Sequence, residues 1–368
     1  MVSKERIQDF SPSFTPIRVL VPGTGPSFRC GGLSVALQTA RLLSQLRETE
    51  VVTYRVRQPS HRFLDDLLDQ ENAPGEALWL VSWGFDVPKL IKKLKGRPVA
   101  YQAHSSGYGF GLPPGVPVIA VSRNTLGYWG DRAPRNPLFL IPNGLEPQWL
   151  ERGARPRSNE GSGSVVGAQR SIDVLVQRRK SSPYVLNRLV PALKRQGLRV
   201  EVQSGWIDDL VGLFNSSSVY LYDSAEYWRG RGVSEGFGLP PLEAMACGCV
   251  VFSSFNHALI DTLTPGVTAH QIGCGSLRYD VQRIGEAVAT PNRWQASAEE
   301  IEILMGLSSE DVMQNRWKIV LNQLQFCSEA GGMSPSLELL SSKATWLLQW
   351  ERVLGGVLSK TRRFLTRN

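Results

Sequence analysis

The chain has 368 residues, 42% of them hydrophobic and 20% charged. That is more than one ordinary domain uses and enough to bury two cores, which excludes a disordered or collagen-like chain. Forty-one Lys and Arg against 33 Asp and Glu leave a net charge of +8, an excess that favours an anionic partner such as a phosphorylated ligand, an acidic lipid surface or nucleic acid.

No apolar run approaches the roughly 18 residues that a membrane-spanning helix needs. The opening stretch MVSKERIQDFSPSF lacks the apolar core of a secretory signal, so a soluble, cytoplasmic protein is expected. Cys30, Cys247, Cys249, Cys274 and Cys327 match neither a zinc spacing nor a disulfide framework, and reduced, mostly buried thiols are expected. Positive charge concentrates in QRRK (177–180), YWRGR (227–231) and the tail KTRRFLTRN (360–368). None is a basic module interleaved with aromatics, and no nucleic-acid partner is expected.

Taken in chain order, the pattern predicts a strand over 17–21, a helix over 33–46, and strands over 51–56, 78–83, 99–103, 116–121 and 138–141, with helical stretches between most of them. Residues 152–167 (RGARPRSNEGSGSVVG) lose apolar periodicity and read as a linker. Alternation resumes with a strand over 172–176, a helix over 184–195, and strands over 198–203, 219–223 and 250–254. Long helices are expected over 298–329 and 336–365. This is α/β architecture: two doubly wound, Rossmann-like domains facing each other across a cleft. The expected boundaries are 1–150, a linker over 151–168, 169–335, and a helix and basic tail over 336–368. Open α/β sheets bind ligands at the carboxyl ends of their strands, so the cleft is where a ligand is expected.

The most informative stretch is VSEGFGLPPLEAMACGCVVFSS (233–254). Glu235 and Glu243 flank a loop containing Gly236 and Gly238 that runs into Pro240 and Pro241. Proline suits a first helical turn, and Gly248 reads as the helix stop before a buried strand. A tight loop thus delivers backbone N–H groups to a helix N-terminus, an arrangement suited to anions.

EGFGLPPLEAMACG closely resembles the E-x7-E segment of retaining glycosyltransferases of the GT-B fold, glycosyltransferase family 4. The resemblance implies that Glu235 contacts the donor sugar hydroxyls and that Glu243 accepts hydrogen bonds from the nucleotide ribose. It also brings the amides of Phe237, Gly238 and Leu239 to the donor sugar and phosphates. A carboxylate, being acceptor-only, suits a vicinal hydroxyl pair, and a diphosphate suits N–H donors and guanidinium groups. Members similarly carry a paired-glycine loop after the first strand, facing the donor phosphates or the acceptor; Gly31 and Gly32 match it here, and the resemblance counts them among the donor-binding residues. Members also carry an arginine after the strand at 172–176 and a lysine six residues later. Here Arg178 fits the first position, but Tyr184 occupies the second; Lys180 is the substitute, and Arg179 can exchange roles with Arg178. His104 stands where members place a histidine against the transferred sugar or the acceptor. AVSRNTLGYW (120–129) and IPNG (141–144) resemble further landmarks, although Glu146 replaces the family's aspartate.

The resemblance implies a hexosyltransferase that moves a sugar from a nucleotide-sugar donor, UDP- or GDP-linked, to an acceptor hydroxyl, with retention of configuration. No side chain is required as a covalent nucleophile. The chain has no D-x-D at a strand end, so a metal-independent reaction with no cofactor is expected. The acceptor is left open among glycan, lipid and small molecule. The basic tail with Trp346, Trp350 and Phe364 suits peripheral contact with the inner face of a membrane. A phosphorylase or sugar-nucleotide epimerase on the same fold, and a relative that binds nucleotide or glycan without turnover, are the alternatives. A C-terminal helix crossing back onto the first domain is implied as well.

Overall fold

The computed structural model describes residues 16–71, 77–156, 170–273 and 276–329, together with residues 350 and 354. Its first half contains β1 (Ile17–Val21), α1 (Gly31–Ser44), β2 (Thr49–Thr53), β3 (Arg62–Phe63), α2 (Leu64–Gln70), β4 (Leu78–Val81), α3 (Val87–Lys93), β5 (Val99–Ala103), β6 (Val118–Ala120), α4 (Arg123–Arg132) and β7 (Leu138–Leu140). The strands form one sheet in the order β3-β2-β1-β4-β5-β6-β7, parallel throughout. Strands such as IRVLV and LWLV are buried along their whole length, as a parallel sheet covered on both faces requires. The strand expected over 116–121 pairs only over Val118–Ala120. Pro117 has no N–H to give the ladder, and Ser122 already caps α4 by accepting from the Thr125 amide.

After α5 (Pro147–Arg152), the second half contains β8 (Ile172–Gln177), a π-helical turn (Val185–Leu189) running into α6 (Val190–Arg195), β9 (Val200–Gln203), α7 (Leu210–Asn215), β10 (Ser217–Tyr222), α8 (Ala225–Arg229), α9 (Leu239–Ala246), β11 (Val250–Ser253), β12 (His270–Gln271) and α10 (Leu277–Ala289). This second parallel sheet has the order β12-β11-β10-β8-β9. Each sheet buries an apolar cluster on both faces, so the chain builds two cores.

The helix expected over 298–329 is two helices, α11 (Ala298–Leu307) and α12 (Glu310–Glu329). At the break, the Ser308 carbonyl accepts from Leu145 N at 2.7 Å, and Ser309 bridges to Leu145 in parallel. From there α12 crosses onto the first sheet. Met313, Trp317, Val320, Leu321 and Leu324 join the cluster built by β1, β4 and α1. Gln38 on α1 donates to the Gly144 carbonyl at 2.9 Å and to Glu310 at 2.7 Å, and Arg41 pairs with Glu310. α12 thus makes a crossing onto the first sheet from within the segment expected to belong to the second domain; the helix expected from residue 336 to make that crossing lies, apart from residues 350 and 354, outside the described residues. Residues 336–349, most of the linker and the basic tail lie outside the described residues. No helix among the described residues is long and apolar enough to cross a membrane.

Candidate active site

The carboxyl ends of the two sheets meet at a seam. The segment after β5, residues 104–107, lies directly on residues 232–236 of the loop between α8 and α9. Ser105 Oγ donates to the Ser234 carbonyl at 2.6 Å, Ser106 Oγ lies 2.5 Å from Ser234 Oγ, and Asn124 Nδ2 donates to the same hydroxyl at 3.2 Å. The approach is so close that only glycine fits. A Cβ on Gly236 would stand 1.6 Å from the His104 carbonyl oxygen, and one on Gly107 would stand 2.5 Å from that of Gly232. A second contact crosses nearby, where the Arg123 amide at the start of α4 donates to Asp261 at 2.7 Å.

Beside the seam, Glu235 is 3% exposed. Its Oε2 accepts from Tyr222 Oη at 2.5 Å and from Trp228 Nε1 at 2.6 Å. Lys180 Nζ lies 3.7 Å from Oε1 and 5.4 Å from the centroid of the Trp228 ring. A buried carboxylate needs such donors, because an unpaired charge away from water is costly. Lys180 reaches it from a backbone with φ of +69°. For a residue with a side chain that conformation costs roughly 1–2 kcal/mol, and such strain concentrates at functional sites.

The loop ends at Gly238, whose φ of +94° turns the chain into α9 without any side-chain cap. Pro240 and Pro241 carry no N–H, so the free donors of this helix start lie on Phe237, Gly238 and Leu239. None of these amides donates to an acceptor among the described residues. Glu243, one turn further on, is half-buried. Burial pushes its carboxyl up to about 7, against the downward pull of Lys180, and it too has no hydrogen-bond partner among the described residues. Lys180 thus stands electrostatically between Glu235 and Glu243, with vacant amide donors alongside.

From the first domain the seam contributes His104. The residue as a whole is half-buried, but its Nε2 is sealed from solvent and has no hydrogen-bond partner among the described residues, and burial pulls its pKa down to about 4, so the imidazole is neutral. Gly31 and Gly32 open α1. A Cβ on Gly31 would meet nothing within 4 Å, and one on Gly32 would meet only Cys30 Sγ at 3.9 Å. Packing does not demand glycine at either position. Their loop reaches the second domain through Arg29, stacked on the Trp206 ring at 4.8 Å.

The structure thus brings together Lys180, Glu235, Phe237, Gly238, Leu239 and Glu243, with His104 across the seam. It holds Arg178 and Arg179 as exposed side chains at the end of β8. Tyr184, at the position of the expected lysine, donates instead to the buried Asp280 at 2.7 Å. Sequence reasoning did not find Tyr222 or Trp228. Trp228 sat in a segment noted only for its charge, and α8, which carries it, has no hydrophobic periodicity to mark it. Of the cysteines, Cys247 and Cys249 are buried, with thiols pushed up by burial, and Cys30 is half-buried.

The fold is that of the GT-B glycosyltransferases, two facing doubly wound sheets with a helix that returns to the first. A family model described as "Glycosyl transferases group 1" matches residues 199–314. That match, less than half of the chain, contains Glu235 and Glu243 but not Lys180 or the first sheet. Among solved structures, the chain is similar to sucrose-phosphate synthase from Thermosynechococcus elongatus (16% identity, TM-score 0.60, covering 85% of this chain and 99% of that one). It is also similar to Anabaena Alr3699/HepE in complex with UDP and glucose (16%, TM-score 0.57, 83% and 99%), and to a glycosyltransferase from Rickettsia africae (12%, TM-score 0.60, 85% and 99%). No curated protein sequence matches the chain.

Proposed function

We propose that the chain is a glycosyltransferase that moves a sugar from a nucleotide-sugar donor to an acceptor hydroxyl, with retention of configuration and without a metal ion. The observation that carries this reading is the arrangement around α9: two carboxylates flank three amides that have no acceptor among the described residues, with Lys180 between the carboxylates and the His104 backbone pressed against Gly236 across the seam. Glu243, which has no hydrogen-bond partner among the described residues, accepts from the ribose hydroxyl pair. The amides of residues 237–239, Lys180 and Arg178 receive the diphosphate. Glu235, fixed through Oε2, offers Oε1 to a donor sugar hydroxyl. The first domain, including the Gly31–Gly32 loop and His104, holds the acceptor.

In the transfer, the bond from the sugar's anomeric carbon to the diphosphate oxygen breaks while the acceptor oxygen bonds to the same face of that carbon. The acceptor proton passes to the leaving phosphate oxygen. Lys180 and the α9 N-terminus stabilise the charge that develops there. No side chain needs to attack the sugar. Closure of the seam keeps water from the activated sugar.

The test is a thermal-shift panel of UDP- and GDP-linked sugars with EDTA present, beginning with UDP-glucose because the Anabaena neighbour was crystallised with UDP and glucose. Ligand that binds only the folded chain raises its Tm. A rise with one donor that disappears in Glu243→Ala is expected, and silence across the whole panel would overturn the reading.

A further inference from the structure

The segments at the carboxyl ends of the two sheets carry more positive charge than a diphosphate uses. The segments leaving the strand ends hold Arg29 after β1, Arg178 and Arg179 after β8, and, after β10, Arg229 at the end of α8 and Arg231 just beyond it. All five side chains are exposed, and none forms an ion pair among the described residues. Elsewhere along these edges the arginines are matched, Arg55 by Asp86 and Arg123 by Asp261. Lys180, Arg178 and the α9 N-terminus suffice for the donor; of the other four, Arg29 is stacked on Trp206, Arg179 adjoins the donor arginine, and Arg229 and Arg231 are left without an anionic partner among the described residues.

Arg231 is also held in place. Its guanidinium lies 3.5 Å from the centroid of the Tyr227 ring and donates to the Tyr227 carbonyl at 3.1 Å. Tyr227 packs edge-on against Trp228, with centroids 5.0 Å apart, and Trp228 donates to Glu235. A chain of contacts therefore runs from the carboxylate at the transfer site to an exposed cation with unused N–H donors. An arginine fixed in advance loses less conformational freedom on binding an anion than a free one does. The segment also faces the first domain, since the Gly232 carbonyl is the atom that Gly107 presses against.

We propose that Arg231, assisted by Arg229, is an anion station for the acceptor, so that the acceptor carries a phosphate ester close to the hydroxyl that receives the sugar. The proposal rests on the nucleotide-sugar reading and deepens it by naming the acceptor's chemistry. A planar guanidinium favours a phosphate ester over a neutral sugar through paired, charge-assisted hydrogen bonds. The ester can belong to a free sugar or polyol phosphate, or to a lipid headgroup.

The experiment uses the full chain. UDP is titrated first, and its failure to bind counts against the donor reading alone. Glycerol 3-phosphate and glycerol are then titrated with and without UDP, and vesicles of phosphatidylglycerol or phosphatidylcholine are compared by flotation. The expected result is saturable binding of an anionic probe but not of its neutral counterpart, weakened at least tenfold by Arg231→Gln and less by Tyr227→Leu, with UDP affinity and Tm unchanged. A loss in the soluble arm alone assigns a free phosphate ester, and a loss in the vesicle arm alone assigns a lipid headgroup. If the wild-type chain binds neither anionic probe, or Arg231→Gln binds both as well as wild type, the proposal is overturned.

Discussion

A carboxylate held at one oxygen by two donors can give a ligand only the other, and Glu235 is such a group. Trp228→Phe keeps the ring that packs beside Lys180 and removes the N–H. A hydrogen bond to a charged acceptor contributes about 1.5–3 kcal/mol, so kcat/KM for the donor should fall by roughly tenfold or more, with a lower Tm because the buried carboxylate loses a donor. An unchanged kcat/KM would deny Trp228 any part in placing Glu235. The titrations of Glu243 and His104 have opposite signs. Glu243, raised from 4.5 to about 7, contributes stability that is complete below its unfolded value and lost as pH rises through 7. His104, lowered from 6.5 to about 4, contributes stability that is present above 6.5 and lost as pH falls through 4. Glu243→Gln should therefore gain Tm over wild type as pH rises from 5 to 8. Parallel Tm curves for the two proteins across that range would contradict the buried carboxyl. At this scale the sequence showed three cations after β8 but not which one turns inward. That choice depends on the left-handed backbone at Lys180, which no residue type there announces.

Loop 232–238 and helix α9 were legible because their signals are local: prolines at the helix start, a glycine at its stop, an apolar strand after it. What those glycines serve was not. Gly236 is glycine because the His104 carbonyl, far away in the chain, occupies the space of a side chain, and only the assembled sheets bring that atom there. Gly236→Ala cannot be absorbed by a rotamer change, since both atoms at the clash are fixed to backbone. Forced overpacking typically costs about 1–3 kcal/mol, and here the seam must part. A lower Tm is expected, with donor hydrolysis by water rising relative to transfer, and a normal ratio of hydrolysis to transfer would count against a closed seam. The break between α11 and α12 was equally hidden. Helical periodicity runs through it, and it is imposed by Leu145, which takes Ser308 and Ser309 as strand-like partners. The Asn143–Gly144 pair, noticed in the sequence as a landmark, is thereby explained as the point where the returning helix docks. A Cβ on Gly144 would stand 3.1 Å from Ser309 O and from Glu310 Cα.

Across the whole molecule, alternating strands and helices made two facing sheets readable from the sequence, because each buried parallel strand is a short apolar run between turn signals. The ownership of the last described helix was not readable, since an amphipathic stripe does not say which core it covers. Trp317, 1% exposed, measures that ownership. Trp317→Ala should cost about 3–5 kcal/mol, and hydrogen exchange should show the loss as faster opening of β1 and β4 with β8 and β10 little changed. Uniform acceleration across both sheets would mean that α12 does not belong chiefly to the first.

The returning helix also sets an order of events during synthesis. A ribosome finishes the first sheet at Leu140, yet the apolar face that Met313, Trp317 and Leu324 will cover stays bare until the whole second sheet has emerged. Domains usually mature in the order they are made; here the later one can close its core first, while the earlier one waits, sticky and incomplete, for its last helix. The longest-lived aggregation-prone surface of the nascent chain is then the domain that was translated first, and that is where a chaperone has most to protect.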